Sequence, residues 1–283
     1  MWVTSVDGVE LKSDNMEVGE FMGDYKFDKF YYTEDESSEH YLSEIEDLSE
    51  SEYIRLYKGK MKCPECKGPQ LSLVRREGST FLKTYPNSSH IVIDGKRCAY
   101  ECDTASKKVM EEYVKELREK KKIRSLLEAT MRRLFKQDVE PNVLSRISGS
   151  KSNNPLLIEK VQSDSTVKRN IVPHYSFKSW GKNIPQERLL IVYGKVFIEL
   201  KEISKKDKND NEIKQVYIHF KDMQTRKLIT SCMKPQTLEV KNGNYYAVIL
   251  GECRKNESKG YTYYNMWINY PVDESILLTP YHL

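Results

Sequence analysis

The chain has no run of about eighteen apolar residues, and its start lacks a basic stretch followed by an apolar one. These absences argue against a membrane span and a secretory leader, and predict a soluble, cytoplasmic protein. It also lacks a glycine-rich loop that could cradle a phosphate. His174, His219 and His282 have no serine or cysteine partner at a recognisable spacing, so each is expected to be structural and nucleophilic catalysis is not expected. Charged residues make up 31% of 283 residues and apolar ones 39%, which predicts two domains and some extended segments.

What charge there is divides unevenly. Residues 1–56 hold 16 Asp/Glu against Lys12, Lys26, Lys29 and Arg55, a net of −12. Residues 57–136 hold 20 Lys/Arg against 10 Asp/Glu, a net of +10. An acidic arm followed by a basic body is the expectation. Because the arm carries Phe21, Tyr25, Phe27, Phe30, Tyr31, Tyr32, Tyr41 and Tyr53, it is either a solvated tail or a segment that packs on a basic surface, in cis or on a partner.

Six cysteines are few, and four of them fall between 63 and 102. Cys63-Pro-Glu-Cys66 offers two thiolates at the bite that tetrahedral Zn²⁺ takes, with Lys67-Gly68-Pro69 supplying the turn that follows. The second pair must come from His90, Cys98 and Cys102. Cys98 with Cys102 gives four thiolates, and His90 with Cys98 gives a Cys₃His set. The six cysteines suit a reducing compartment, and Cys232 and Cys253 read as buried thiols. No His-x-Glu followed by Pro-Cys-x-x-Cys accompanies the set, so the zinc is expected to be structural, not catalytic.

The stretch Cys63-Pro-Glu-Cys66, then Phe81-Leu-Lys-Thr-Tyr-Pro-Asn-Ser-Ser-His90, then Cys98-Ala-Tyr100, resembles the zinc-finger-like segment of competence-protein CoiA-like proteins. The resemblance implies His90 and Cys98 as the second ligand pair, with Cys102 in reserve. It extends over about residues 57–102 only, and the nuclease part of that family has no counterpart. Glu199-Leu-Lys201 and Glu212-Ile-Lys214 match one triplet of it, a triplet frequent by chance.

Periodicity supplies the remaining plan. Strands are expected at 71–74 and 91–93, with Asp94-Gly95 as a hairpin turn. Met110, Tyr113, Val114 and Leu117, then Ile123, Leu127, Met131 and Leu134, predict an amphipathic basic helix over 103–136. Asp103 or Thr104 would cap it, and Lys120-Lys121-Lys122 would either continue it or mark a joint. Residues 137–187 read as a linker anchored at Ile171 and Trp180. Residues 188–283 hold five strand-like runs at 188–203, 213–221, 226–234, 244–254 and 261–270, with Gly194 as a bend in the first.

The expected class is therefore α+β: an acidic arm (1–56), a small zinc-ribbon-like module (57–102), the helix, the linker, and an antiparallel β-barrel. That barrel is of the oligonucleotide/oligosaccharide-binding (OB) type, or else a small sandwich. The functional expectation is a non-catalytic protein that binds a nucleic acid, DNA ahead of RNA, with the acidic arm masking its basic surface. Lys120, Lys121, Lys122, Arg124, Lys195, Lys221, Arg226 and Lys227 would meet phosphates, and Tyr263 and Trp267 would stack on bases. The alternative is a phage or mobile-element protein that binds and inhibits a host defence enzyme.

Overall fold

The structure, a computed structural model, describes residues 26–77, 79–92, 97–135, 154–161, 166–181, 183–206, 212–258, 260–268 and 274–281. Its first strands come from the acidic region. β1 (Lys29–Tyr32) pairs antiparallel with β2 (Asp35–Tyr41) and, on its other edge, with β3 (Met61–Lys62). A short 3₁₀ turn at Leu42–Glu44 leads to α1 (Glu50–Leu56), which starts where the Ser49 side chain accepts the Glu52 N–H and Glu52 reaches back to the Ser49 N–H. Phe27, Phe30, Leu42, Ile45 and Tyr53 are buried in one core with Met61, Cys63 and Leu71. Each such side chain contributes about 1.5–3 kcal/mol by leaving water. Their acidic neighbours meet cations of the following segment, Glu50 with Arg75 at 2.8 Å and Glu34 with Lys60 at 3.3 Å. Residues 26–56 therefore pack in cis, while the arm's first 25 residues lie outside the described ones.

β4 (Leu71–Arg76) forms a hairpin with β5 (Ser79–Thr84), and Ile91 and Val92, the described residues of the strand expected at 91–93, are not in a strand. Ile91 and Val92 instead lie in exposed coil, at 51% and 60% exposure, while the adjacent Phe81 and Leu82 of β5 bury opposite faces of the hairpin in two different cores. The turn at Asp94-Gly95 lies outside the described residues.

The basic segment is two helices, α2 (Lys107–Glu119) and α3 (Ile123–Leu134). Ser106, not Asp103 or Thr104, caps α2, because residues 103–104 are drawn into a short strand β6 (Asp103–Thr104). The break falls at the triple lysine. Lys121 adopts φ +53°, its N–H donates to Arg118 O at 2.9 Å, and the Lys122 N–H donates to Leu117 O at 2.7 Å, a left-handed helix end usually given to glycine. Lys121→Gly is expected to raise stability by about 0.5–1 kcal/mol, read as a higher urea midpoint at unchanged slope.

Residues expected as linker add structure. β7 (Leu157–Val161) and β8 (Val167–Ile171) form a hairpin that adds to β6, and Ile171 is buried as anticipated. β9 (His174–Ser176) runs parallel to the first strand of the large sheet. Trp180 anchors by donating its Nε1–H to Tyr264 O at 2.9 Å.

All five C-terminal runs are strands: β10 (Leu189–Lys206), β11 (Glu212–Lys221), β12 (Leu228–Met233), β13 (Gly243–Ser258) and β14 (Tyr261–Trp267). A further strand, β15 (Ile276–Pro280), pairs with β13. The sheet order is β12-β11-β10-β13-β14. β10 serves two edges, pairing with β13 through Leu189–Ile198 and with β11 through Phe197–Lys206. The handover therefore falls near Phe197, not at Gly194, whose missing Cβ admits Phe177 at 3.2 Å.

The sheet curls but does not close into a hydrogen-bonded barrel. Its edge strands β12 and β14 are joined by side chains, Thr230 Oγ1 to Tyr264 O at 3.0 Å and Ser231 Oγ to Asn265 Oδ1 at 3.4 Å. Inside the curl lie Leu190, Val192, Val196, Ile218, Phe220, Ala247, Ile249 and Met266. Alternation sends Leu189, Ile191, Tyr193, Tyr246 and Val248 outward, and these are buried again in the core that also holds α2 and α3. The class is thus α+β, with sheets predominating and three α-helices among the described residues. No helix among these residues is long and apolar enough to cross a membrane.

Candidate metal centre

Cys63 and Cys66 sit on a knuckle held by backbone bonds. The Cys63 N–H donates to Pro69 O at 2.9 Å and the Lys67 N–H to Cys63 O at 3.0 Å. Lys67 takes φ +53° to turn the chain, and its ammonium lies 4.0 Å from the Tyr31 ring centroid. A Cβ on Gly68 would stand 3.3 Å from Cys66 Sγ, so the turn leaves room for the sulfur. Cys98 comes from the far side, just before the 3₁₀ turn at Ala99–Glu101, and His90 from the coil after β5.

The ligand atoms of Cys63, Cys66, His90 and Cys98 all lie within 4.8 Å of one another. Cys63 Sγ is 3.6 Å from Cys98 Sγ, and Cys66 Sγ is 3.4 Å from His90 Nδ1. Those are the edges of a tetrahedron around a metal at ordinary bond lengths. The three sulfurs are buried and the imidazole is half-buried. Cys102, the reserve ligand, follows the 3₁₀ turn and lies outside the cluster.

Sulfur crowding and burial set the electrostatics. The hydrogen bond with Cys63, then burial, push the Cys98 thiol well above its usual range, and burial also raises Cys66. Thiols so placed ionise readily only beside a positive charge, which is what a bound dication supplies.

Outside the ligands, Glu65 is the principal brace. Its Oε2 accepts the Ala99 N–H at 3.0 Å and lies 3.7 Å from Cys98 Sγ, while Oε1 pairs with Arg133 of α3. Phe27 stacks on Tyr100 with centroids 4.9 Å apart, and on His90 at 6.4 Å. Neither Arg133 nor Phe27 carried a sequence signal tying it to the cysteines.

The basic and aromatic candidates fall into several groups. Lys120, Lys121, Lys122 and Arg124 line the α2–α3 joint, where Lys120 pairs with Glu116 and Arg124 with Glu128. Lys221 pairs with Glu199 at 2.6 Å, and Arg226 lies 3.7 Å over the Phe197 ring beside exposed Lys227 in the β11–β12 turn. Lys195 on β10 is committed to the rings of Tyr246 and Tyr281, at 5.6 and 5.2 Å. Tyr263 and Trp267 lie on β14, 45% and 49% exposed. Arg254, not foreseen from the sequence, stacks 4.5 Å over Trp267. A period-two reading of β13 would have placed it on the outward face with Glu252.

No protein-family model, curated protein or solved structure matches the chain.

Proposed function

We propose that this chain is a non-catalytic nucleic-acid-binding protein whose N-terminal half is organised by a structural zinc ion. Three thiolates and one imidazole make a complete tetrahedral set with the hard–soft character that Zn²⁺ accepts, and leave no fourth position for water. Zinc here would hold two distant chain segments together and supply no chemistry to a substrate.

Strand order supports an OB-like reading of the C-terminal sheet. Counting β10 to β14 as one to five, strand one lies between two and four, and four lies beside five. The side-chain bonds of β12 and β14 advance in the same direction, so strand three runs parallel to five across the seam.

The observation that carries the binding reading is the pair of half-exposed rings, Tyr263 and Trp267, on the outward side of β14. Half-exposed rings on a strand are suited to stacking on bases, worth about 1–3 kcal/mol each. Lys221, Arg226, Lys227 and the lysines of the α2–α3 joint would neutralise phosphates. Residues 1–25, with six acids against Lys12, would compete for the same cations.

Fluorescence anisotropy of the full chain with labelled DNA and RNA, at two salt concentrations, tests this. Affinity should fall steeply with salt, and it should rise when the six acids of residues 1–25 become amides. Absence of binding at low salt by either protein would refute the reading and turn attention to a protein target.

A further inference from the structure

Glu65 lies inside the knuckle, between Cys63 and Cys66, and touches both of the segments that would share the metal. Its Oε2 accepts the Ala99 N–H at 3.0 Å, one residue past Cys98, so the carboxylate clamps the Cys98 turn to the knuckle. The same oxygen stands 3.7 Å from Cys98 Sγ. As a thiol, that sulfur can direct its hydrogen at the carboxylate. As a metal-bound thiolate it has no hydrogen to give, and two anions then face each other.

A dication with three thiolates and a neutral imidazole already sums to one negative charge. Cys66 disperses part of it onto the Gly68 and Ile91 N–H groups, whereas Cys98 faces Glu65. Relief comes from 68 residues away in the chain. Arg133, in the last turn of α3, pairs with the carboxylate's other oxygen. Arg133 and Glu65 are 29% and 24% exposed, so solvent screens the pair only in part. We propose that Glu65 and Arg133 are positioning residues of the metal centre: Glu65 holds the Cys98 turn against the knuckle, and Arg133 cancels the charge that this brings beside the sulfur. The inference rests on the zinc reading above. It makes metal affinity depend on a side chain of the basic α3, and by linkage metal uptake strengthens the hold on the end of that helix.

Competition between the cobalt-loaded full chain and a chelator of known affinity reads affinity separately from the ligand set. Arg133→Met should weaken Co²⁺ binding about ten- to a hundredfold. Its saturated thiolate-to-cobalt absorption should match the parent's, since no ligand is touched. Glu65→Gln should bind at least as tightly as the parent, because the amide oxygen still accepts from Ala99 and an anion is gone. Glu65→Ala, which drops the clamp, should bind several-fold more weakly than Glu65→Gln, and equal affinity would remove the clamp. The sharpest protein combines Glu65→Gln with Arg133→Met. With no carboxylate left to neutralise, it should recover most of the affinity that Arg133→Met loses. If Arg133→Met binds as the parent does, or the double variant is as weak as Arg133→Met, the inference fails while the zinc reading stands. If the parent takes up no Co²⁺, both fall.

Discussion

Cys63→Ser is expected to cost the protein its metal and much of the stability of its N-terminal half. The effect should be large because the ligands are not appended to a finished fold. Cys63, Cys66 and Cys98 belong to the same core as Phe27, Phe30, Tyr53, Met110 and Leu127. The knuckle is also tied through Glu65 to Arg133 of α3. A structural zinc site contributes on the order of 10 kcal/mol of binding free energy to the folded state. Losing even a few kcal/mol of that would lower Tm by about 10 °C or more for a chain of this size. Metal content by mass spectrometry and melting by circular dichroism read the two effects together. Cys102→Ser should keep one metal per chain and melt within a few degrees of the parent. Equal metal content in the Cys63 and Cys102 variants would show that the cluster is not the binding site.

The Cys/His cluster was legible in part because local spacing constrains its first pair. A Cys-x-x-Cys knuckle with its turn is recognisable by itself, and the resemblance pointed to His90 and Cys98, which are the residues that meet it. The five C-terminal strands were legible through alternation and polar loops. What stayed hidden depends on partners distant in the chain. β5 was missed because its adjacent Phe81 and Leu82 enter two different cores, one on each side of the hairpin it makes with β4, so it shows no alternation. β15 is short and finds its place only along the first half of β13. The acidic character of residues 26–56 pointed to an arm, yet the aromatics among those acids decide its placement. Phe27 reaches Tyr100 and His90, and Asp28 pairs with the Ser176 N–H, contacts that no local pattern announces. A truncation at residue 56 would remove these core side chains, so the acidic segment is better tested by neutralising residues 1–25.

Acid should destabilise the protein through His174, the second large effect. The imidazole is buried, its Nδ1–H donating to Val172 O at 2.8 Å and its Nε2 accepting from Tyr100 OH at 3.1 Å. Both nitrogens are thus committed to the neutral ring. Burial, with Lys29 and Arg133 adding like charge and Val172 O opposing them, lowers its pKa to about 4 from 6.5. Because the folded value lies below the unfolded one, between those two values the unfolded chain binds a proton that the folded chain refuses. Stability is therefore full above pH 6.5 and drains as pH falls towards 4. The loss is about 1.4 kcal/mol for each pH unit, about 3 kcal/mol in all. A metal held by the cysteines would also be released in acid, so the informative quantity is a difference between proteins. From pH 7.5 to 5.0, urea unfolding of the parent should lose about 2 kcal/mol more than His174→Gln does, even though the variant starts less stable. An equal loss in both would place the acid sensitivity at the metal centre alone, and would mean that the Tyr100–His174–Val172 chain accepts a proton without cost.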